Sequence, residues 1–232
     1  MLKDNIILIL GGTGDVGLAI TSLLEKEGAI VLRHGRSGEY AADINVSEET
    51  ARMIAKIIQK FGKIDAVINS LSAPTVIALA EKKIWNNFLE HLNVQLKAAI
   101  EVTEQVIPEM KKQKSGRIIN ILTSYVVGDP PAGLSDYITA KYALLGFTKA
   151  LAKELGRYGI AVSAVSPSIM KNSFTKNLPP KIFELEAAQS PTGKLTTEED
   201  IAKAVLHLLT SNTEQINGKN ILIVGGQSTI IS

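Results

Sequence analysis

From one end of this chain to the other, strand-length apolar runs alternate with helix-length amphipathic segments, and few architectures accept that pattern. The runs predict strands over Ile6–Leu10, Ile30–Arg33, Ala66–Asn69, Arg117–Leu122, Ala161–Val165 and Asn220–Val224. Most are continuous and β-branched, as strands covered on both faces should be. Between them the periodicity predicts helices over Val16–Lys26, Glu48–Phe61, Trp85–Lys112, Asp136–Tyr158 and Glu198–Leu209. A strand-helix alternation of this kind packs as a doubly wound parallel sheet with helices on both faces, an α/β fold. With 232 residues, 45% apolar and 21% charged, the chain can bury one continuous core, and residues 1–232 read as a single domain.

Two connections depart from the regular pattern. Only the nine residues 34–42 separate Arg33 from Asp43, whereas a parallel crossover normally needs a dozen or more and carries a helix. A helix is therefore expected to be missing, with Ser37–Ile44 extended. The other is long: about residues 168–197, with Pro179, Pro180, Pro191 and Gly193 among small polar residues, reads as a lid-like segment.

The net charge of +2 comes from scattered basic residues, which leaves no footprint for a nucleic-acid partner. The absence of cysteine removes disulfides, thiolate nucleophiles and cysteine metal sites, and no metal site is expected. The first apolar stretch ends at Gly11, too short to span a membrane and without a cleavage pattern, so a cytoplasmic protein with no membrane partner is expected.

Gly11-Gly12-Thr13-Gly14-Asp15-Val16-Gly17 joins the first strand to the first helix. There the backbone can approach a dinucleotide pyrophosphate while the helix N-terminus favours its negative charge. The end of the second strand would face the adenosine ribose. An acidic residue there would hold the hydroxyls of NAD; the chain instead offers Arg36 and Ser37, suited to a 2′-phosphate. This favours NADP(H), with NAD(H) as the alternative. His34 is read as structural or solvated, with no assigned role.

Tyr137 and Lys141 lie four residues apart, on one face of a helix that is apolar nearly all round. A neighbouring ammonium stabilises a phenolate and lowers the phenol pKa from about 10, making Tyr137 a candidate general acid or base.

In these features the chain resembles the short-chain dehydrogenase/reductase family over essentially its whole length. It is most similar to the 3-oxoacyl-[acyl-carrier-protein] reductase group, notably in Gly116-Arg117-Ile118-Ile119-Asn120, in Gly146-Phe147-Thr148-Lys149-Ala150-Leu151-Ala152 and in the tail Gly218–Gly226. The resemblance implies a Rossmann-type sheet, hydride transfer between a nicotinamide and a carbonyl or alcohol substrate, and a catalytic tetrad. In that tetrad Ser124 binds the substrate oxygen, Tyr137 is the proton donor, Lys141 holds the nicotinamide ribose, and Asn93 positions a relay water. Counting from Gly116 puts Thr123 in the serine's place; counting back from Tyr137 favours Ser124. The cofactor would be lined by Gly11, Thr13, Gly14, Asp15, Val16, Gly17, Arg36, Ser37, Asp43, Ile44, Asn69, Tyr137, Lys141, Pro167 and Ile169. Family resemblance, with apolar surface on the helices at Val94–Met110 and Ile138–Leu155, also implies a homo-oligomer, a tetramer or dimer.

The chain departs from the family pattern at Asp15 in the glycine turn, at Asn69-Ser70-Leu71-Ser72, and at Ser168 after Pro167. These departures motivate an alternative of another class, a non-catalytic dinucleotide-binding sensor or scaffold. A nucleotide-sugar epimerase or dehydratase fits the glycine spacing but lacks the added substrate domain.

Overall fold

The computed structural model describes residues 1–176 and 178–226. Its centre is a seven-stranded, wholly parallel sheet in the order β3-β2-β1-β4-β5-β6-β7. The strands are β1 Ile6–Leu10, β2 Ile30–Gly35, β3 Tyr40–Ala41, β4 Ala66–Asn69, β5 Gly116–Ile121, β6 Ile160–Pro167 and β7 Asn220–Ile223. The helices are α1 Asp15–Lys26, α2 Ser47–Phe61, α3 Trp85–Leu92, α4 Ala98–Gln113, α5 Ser135–Leu155, α6 Pro180–Gln189, α7 Glu198–Thr210 and the short α8 Thr213–Ile216.

Side chains alternate across a strand, so each central strand feeds two cores. On one face Ile6, Leu8 and Leu10 of β1 meet Ile54 and Ile57 of α2, Val102 and Val106 of α4, and Leu151 and Leu155 of α5. On the other, Ile7 and Ile9 meet Ile20 and Leu24 of α1 and Ile201, Val205 and Leu208 of α7. This double coverage explains why the strands read as unbroken apolar runs. The strand order reverses at β1 and β4, and a crevice opens there beyond the carboxyl ends of the strands.

The short crossover carries no helix, as the residue count requires. Residues 36–39 make a tight link, and Tyr40–Ala41 returns as a two-rung parallel strand, His34 opposite Tyr40 and Gly35 opposite Ala41. Two elements differ from the sequence expectation. The helix expected over Trp85–Lys112 is broken by a π-helical turn at Asn93–Lys97, which separates α3 from α4. Within the lid-like segment, Pro180 starts α6 at a helix N-terminus, the one place where a missing N–H costs nothing.

His34 has a role that the sequence reading did not assign. Its ring is buried at the end of β2. Nδ1 accepts the Gly11 N–H at 3.4 Å, Nε2 donates to the Ala42 carbonyl at 3.1 Å, and the His34 carbonyl accepts the Gly12 N–H at 2.9 Å. One side chain thus ties the glycine turn to the end of the shortened crossover. That arrangement requires a neutral ring, and burial holds the imidazole below its usual 6.5. The folded chain therefore binds this proton less readily than the unfolded chain, so the stability it contributes is complete above pH 6.5 and is lost as pH falls below that value. Thermal melts between about pH 8 and pH 5 should show wild type losing stability on the acid side, and His34→Gln, less stable at neutral pH, should show a flatter loss.

Candidate active site

The glycine turn is built by steric necessity. Gly11 has φ +71°, and a Cβ on it would sit 2.9 Å from the Ser70 carbonyl oxygen. A Cβ on Gly17 would collide with the Gly11 carbonyl, and one on Gly12 would press on Arg33 at 3.0 Å. Gly14, by contrast, meets nothing closer than 3.5 Å, so its lack of a side chain leaves room for a ligand above the turn. Thr13 packs over Gly35, where a Cβ would lie 2.7 Å from its methyl group. Val16 is half-buried and joins the α1 core. Arg36 and Ser37 lie exposed at the carboxyl end of β2. Asp43 is exposed and accepts the Asn45 N–H at 2.9 Å, while Ile44 beside it is buried in the α2 core.

Across the crevice, α5 presents Tyr137 and Lys141 to the end of β5. Lys141 is buried, and its Nζ donates to the Ile121 carbonyl at 2.8 Å while lying 5.7 Å from the centre of the Tyr137 ring. Burial pushes the Lys141 ammonium down to about 7. Burial also pushes the Tyr137 phenol up; a hydrogen bond with Thr123 opposes this, and Tyr125 adds to it. The lowering expected from a neighbouring lysine thus has burial acting against it. A neutral phenol is the form that donates a proton.

Two positions carried over from the resemblance, Ser124 and Asn93, each have a neighbour with more side-chain contacts. Thr123 exerts a hydrogen-bonding influence that favours the Tyr137 phenolate, and its Oγ1 accepts the Tyr125 N–H at 3.5 Å; Ser124 is buried, opens the short helical turn Ser124–Val126, and makes no side-chain hydrogen bond among the described residues. Asn93 is half-buried with no side-chain hydrogen bond among the described residues. The buried position belongs instead to Gln95. Its carbonyl accepts Asn69 Nδ2 at 3.3 Å and its amide lies 2.9 Å from His91 Nδ1. The π turn rotates the chain between the two residues, a break that the sequence periodicity did not announce.

Asn69 closes β4, where its Oδ1 also accepts the Leu71 N–H at 3.3 Å. Pro167 ends β6, Ile169 follows half-buried, and Ser168 is pinned by Thr196 at 2.7 Å and by the Ile223 carbonyl. The lid-like segment reaches over both halves of the site. The Ser173 N–H donates to Asp15 Oδ2 at 2.8 Å; hydrogen bonding by the Ser173 side chain first and by this N–H second holds that carboxyl below its usual range, and the Phe174 ring lies 6.1 Å from Tyr137.

The family model described as enoyl-(acyl carrier protein) reductase matches residues 15–228. Among curated relatives, the 3-oxoacyl-[acyl-carrier-protein] reductase FabG of Thermotoga maritima is 28% identical over 97% of this chain and 98% of its own length. Among solved structures, gox2181 superposes with a TM-score of 0.90 at 20% identity, covering 97% of this chain and 96% of its own. An NAD+-bound xylitol dehydrogenase gives 0.87 at 24%, covering 97% and 99%. Taken with the parallel sheet, the glycine turn and the Tyr137/Lys141 pair, these matches place the chain in the short-chain dehydrogenase/reductase family of oxidoreductases, among relatives of the FabG type.

Proposed function

We propose that the chain is an NADP(H)-preferring carbonyl reductase that interconverts a ketone and a secondary alcohol. The observation that carries this reading is Tyr137 beside the buried Lys141, whose Nζ lies 5.7 Å from the ring centre, at the end of the sheet where the glycine turn opens.

The residues present fit a dinucleotide. A Cβ on Gly11, Gly12 or Gly17 would distort the turn, and the space above Gly14, with the start of α1, suits a pyrophosphate. Gly11, Thr13, Gly14, Asp15, Val16 and Gly17 would line the phosphates. Arg36 and Ser37 would meet a 2′-phosphate, Asp43 and Ile44 the adenine, and Asn69, Pro167 and Ile169 the ribose and nicotinamide side. When bound, the reduced nicotinamide supplies the hydride. Thr123 then orients the substrate oxygen, with Ser124 adjacent. Tyr137 gives its proton to that oxygen, and Lys141 stabilises the phenolate left behind while binding ribose hydroxyls. Exposed apolar residues on α4 and α5, Ile100 and Tyr142, are consistent with self-association through these helices.

Substrate class is the broader choice. The FabG relative carries an acyl-carrier-protein substrate in its name and the xylitol dehydrogenase a polyol, so a panel of activated ketones should include β-keto thioesters and sugar-derived ketones.

Purified protein should consume NADPH with at least one ketone of the panel. Tyr137→Phe should lower kcat by about a hundredfold or more without loss of fold. Thr123→Val should approach that loss, while Ser124→Ala should keep most of the rate. No NADPH consumption across the panel, or full activity in Tyr137→Phe, would overturn the reading. Arg36→Ala should weaken NADPH binding about tenfold or more and leave NADH binding unchanged, the loss expected of one charge-assisted contact.

A further inference from the structure

Behind Tyr137 runs a buried polar chain that the reaction as described does not use. Lys83 contacts Asp136 Oδ1 in an ion pair whose two side chains are 3% and 4% exposed, and also donates to the Val76 carbonyl at 3.1 Å. Asp136 Oδ2 faces His91 Nε2 at 3.8 Å. On the other side of the ring, Gln95 Nε2 donates to His91 Nδ1 at 2.9 Å, which leaves the imidazole proton on Nε2, toward Asp136. Gln95 is fully buried, and its Oε1 has no hydrogen-bond partner.

Stability alone does not account for such a chain. A buried ion pair seldom stabilises more than apolar residues of the same volume, and an unpaired buried amide oxygen costs free energy. What distinguishes the chain is its target. The Tyr137 N–H donates to Asp136 Oδ1 at 2.8 Å, and the His91 ring meets the Tyr137 ring edge-on, 5.9 Å between centres. Through its own carbonyl, Gln95 also fixes Asn69 at the end of β4. The backbone and the ring of Tyr137 are therefore both held from behind, by residues on α3, on the π turn and on the segment before α3.

We infer that His91 and Gln95 are positioning residues for proton donation by Tyr137, acting as the last two links of the chain Lys83–Asp136–His91–Gln95. This inference rests on the proposed reductase reading. His91 and Gln95 stand four residues apart, the spacing that sets two side chains on one helical face, and the π turn at Asn93–Lys97 keeps them in contact. The free Gln95 Oε1 faces no protein donor, the situation in which a buried amide takes an ordered water. The ring of His91 is neutral, since burial lowers its proton affinity together with Lys83 and Lys141, against the pull of Asp136 and Glu90.

The test uses the full chain and steady-state kinetics with NADPH and a ketone turned over by wild type. Gln95→Leu removes the amide at nearly constant volume; His91→Phe keeps the edge-on ring contact but breaks the chain. Both should lower kcat by about tenfold to a hundredfold, the range for a misplaced reacting group, with KM and NADPH binding within about twofold of wild type and no loss of melting temperature in Gln95→Leu. Gln95→Glu, which cannot donate to Nδ1 but can accept from it in the other ring tautomer, should recover part of the rate. Unchanged kcat in Gln95→Leu and His91→Phe, or a loss of kcat that only follows a loss of melting temperature, would overturn the inference while leaving the reductase reading intact. If either variant fails to fold, the other with Gln95→Glu decides the matter by the same split between kcat and KM. A wild type that transfers no hydride overturns both.

Discussion

A lysine ammonium buried against a backbone carbonyl is the constraint on which the rest of the site depends. The Lys141 Nζ sits 2.8 Å from the Ile121 oxygen, where α5 packs across the end of β5. Burying a cation with a single neutral acceptor is costly, and the downward push on its pKa measures that cost. The surroundings leave it little freedom. Leu144, Leu145 and Ala140 bury the same helix, and Asn120 on β5 donates to Thr148 on α5 at 2.9 Å, locking the register of helix against strand. A helix slipped by one residue would carry Lys141 away from the strand end and Tyr137 away from Thr123.

The same register brings the two halves of the site together. The glycine turn follows β1, Asn69 ends β4, Thr123 follows β5 and Pro167 ends β6, so parallel strands deliver all of them to one edge. His34 then fixes the turn against the shortened crossover, and the lid-like segment bridges the edge by one hydrogen bond to Asp15 and one aromatic contact to Tyr137. The two bridges are weak beside the packing of the sheet, and a segment held in this way can rearrange without disturbing the core. Asp15 thereby acquires a physical meaning: it stands where a glycine is common in the family and supplies the carboxylate to which the segment is tied.

Much of this could be read from residues alone, because it follows from periodicity and length. The apolar runs at Ile6–Leu10 and Ala66–Asn69 give strand bounds that the structure repeats, and the short interval between Arg33 and Asp43 excludes a helix by reach. Glycines that tolerate no Cβ announce themselves as a cluster after a strand. What could not be read depends on three-dimensional register. Nothing in the spacing chooses between Thr123 and Ser124, and nothing in the pattern of Trp85–Lys112 marks a π turn at Asn93–Lys97. The role of His34 was hidden for a related reason: its partners are backbone groups of Gly11 and Ala42, and backbone groups leave no mark in sequence. Lys83 and Asp136, far apart along the chain, were equally silent. The lowered phenol expected from a lysine at helical spacing has burial acting against it, because spacing reports proximity and not desolvation.

The central claim is that Lys141, with the dinucleotide bound, opposes the upward push of burial on the Tyr137 phenol, and the most direct measurement is the titration of that phenol itself. With isotopically labelled tyrosine, the ring resonance of Tyr137 can be identified among the five tyrosines by its loss in Tyr137→Phe and followed against pH with NADP+ bound. The account predicts that Tyr137 ionises at a distinctly lower pH in wild type than in Lys141→Met. An identical titration in the two proteins would contradict it.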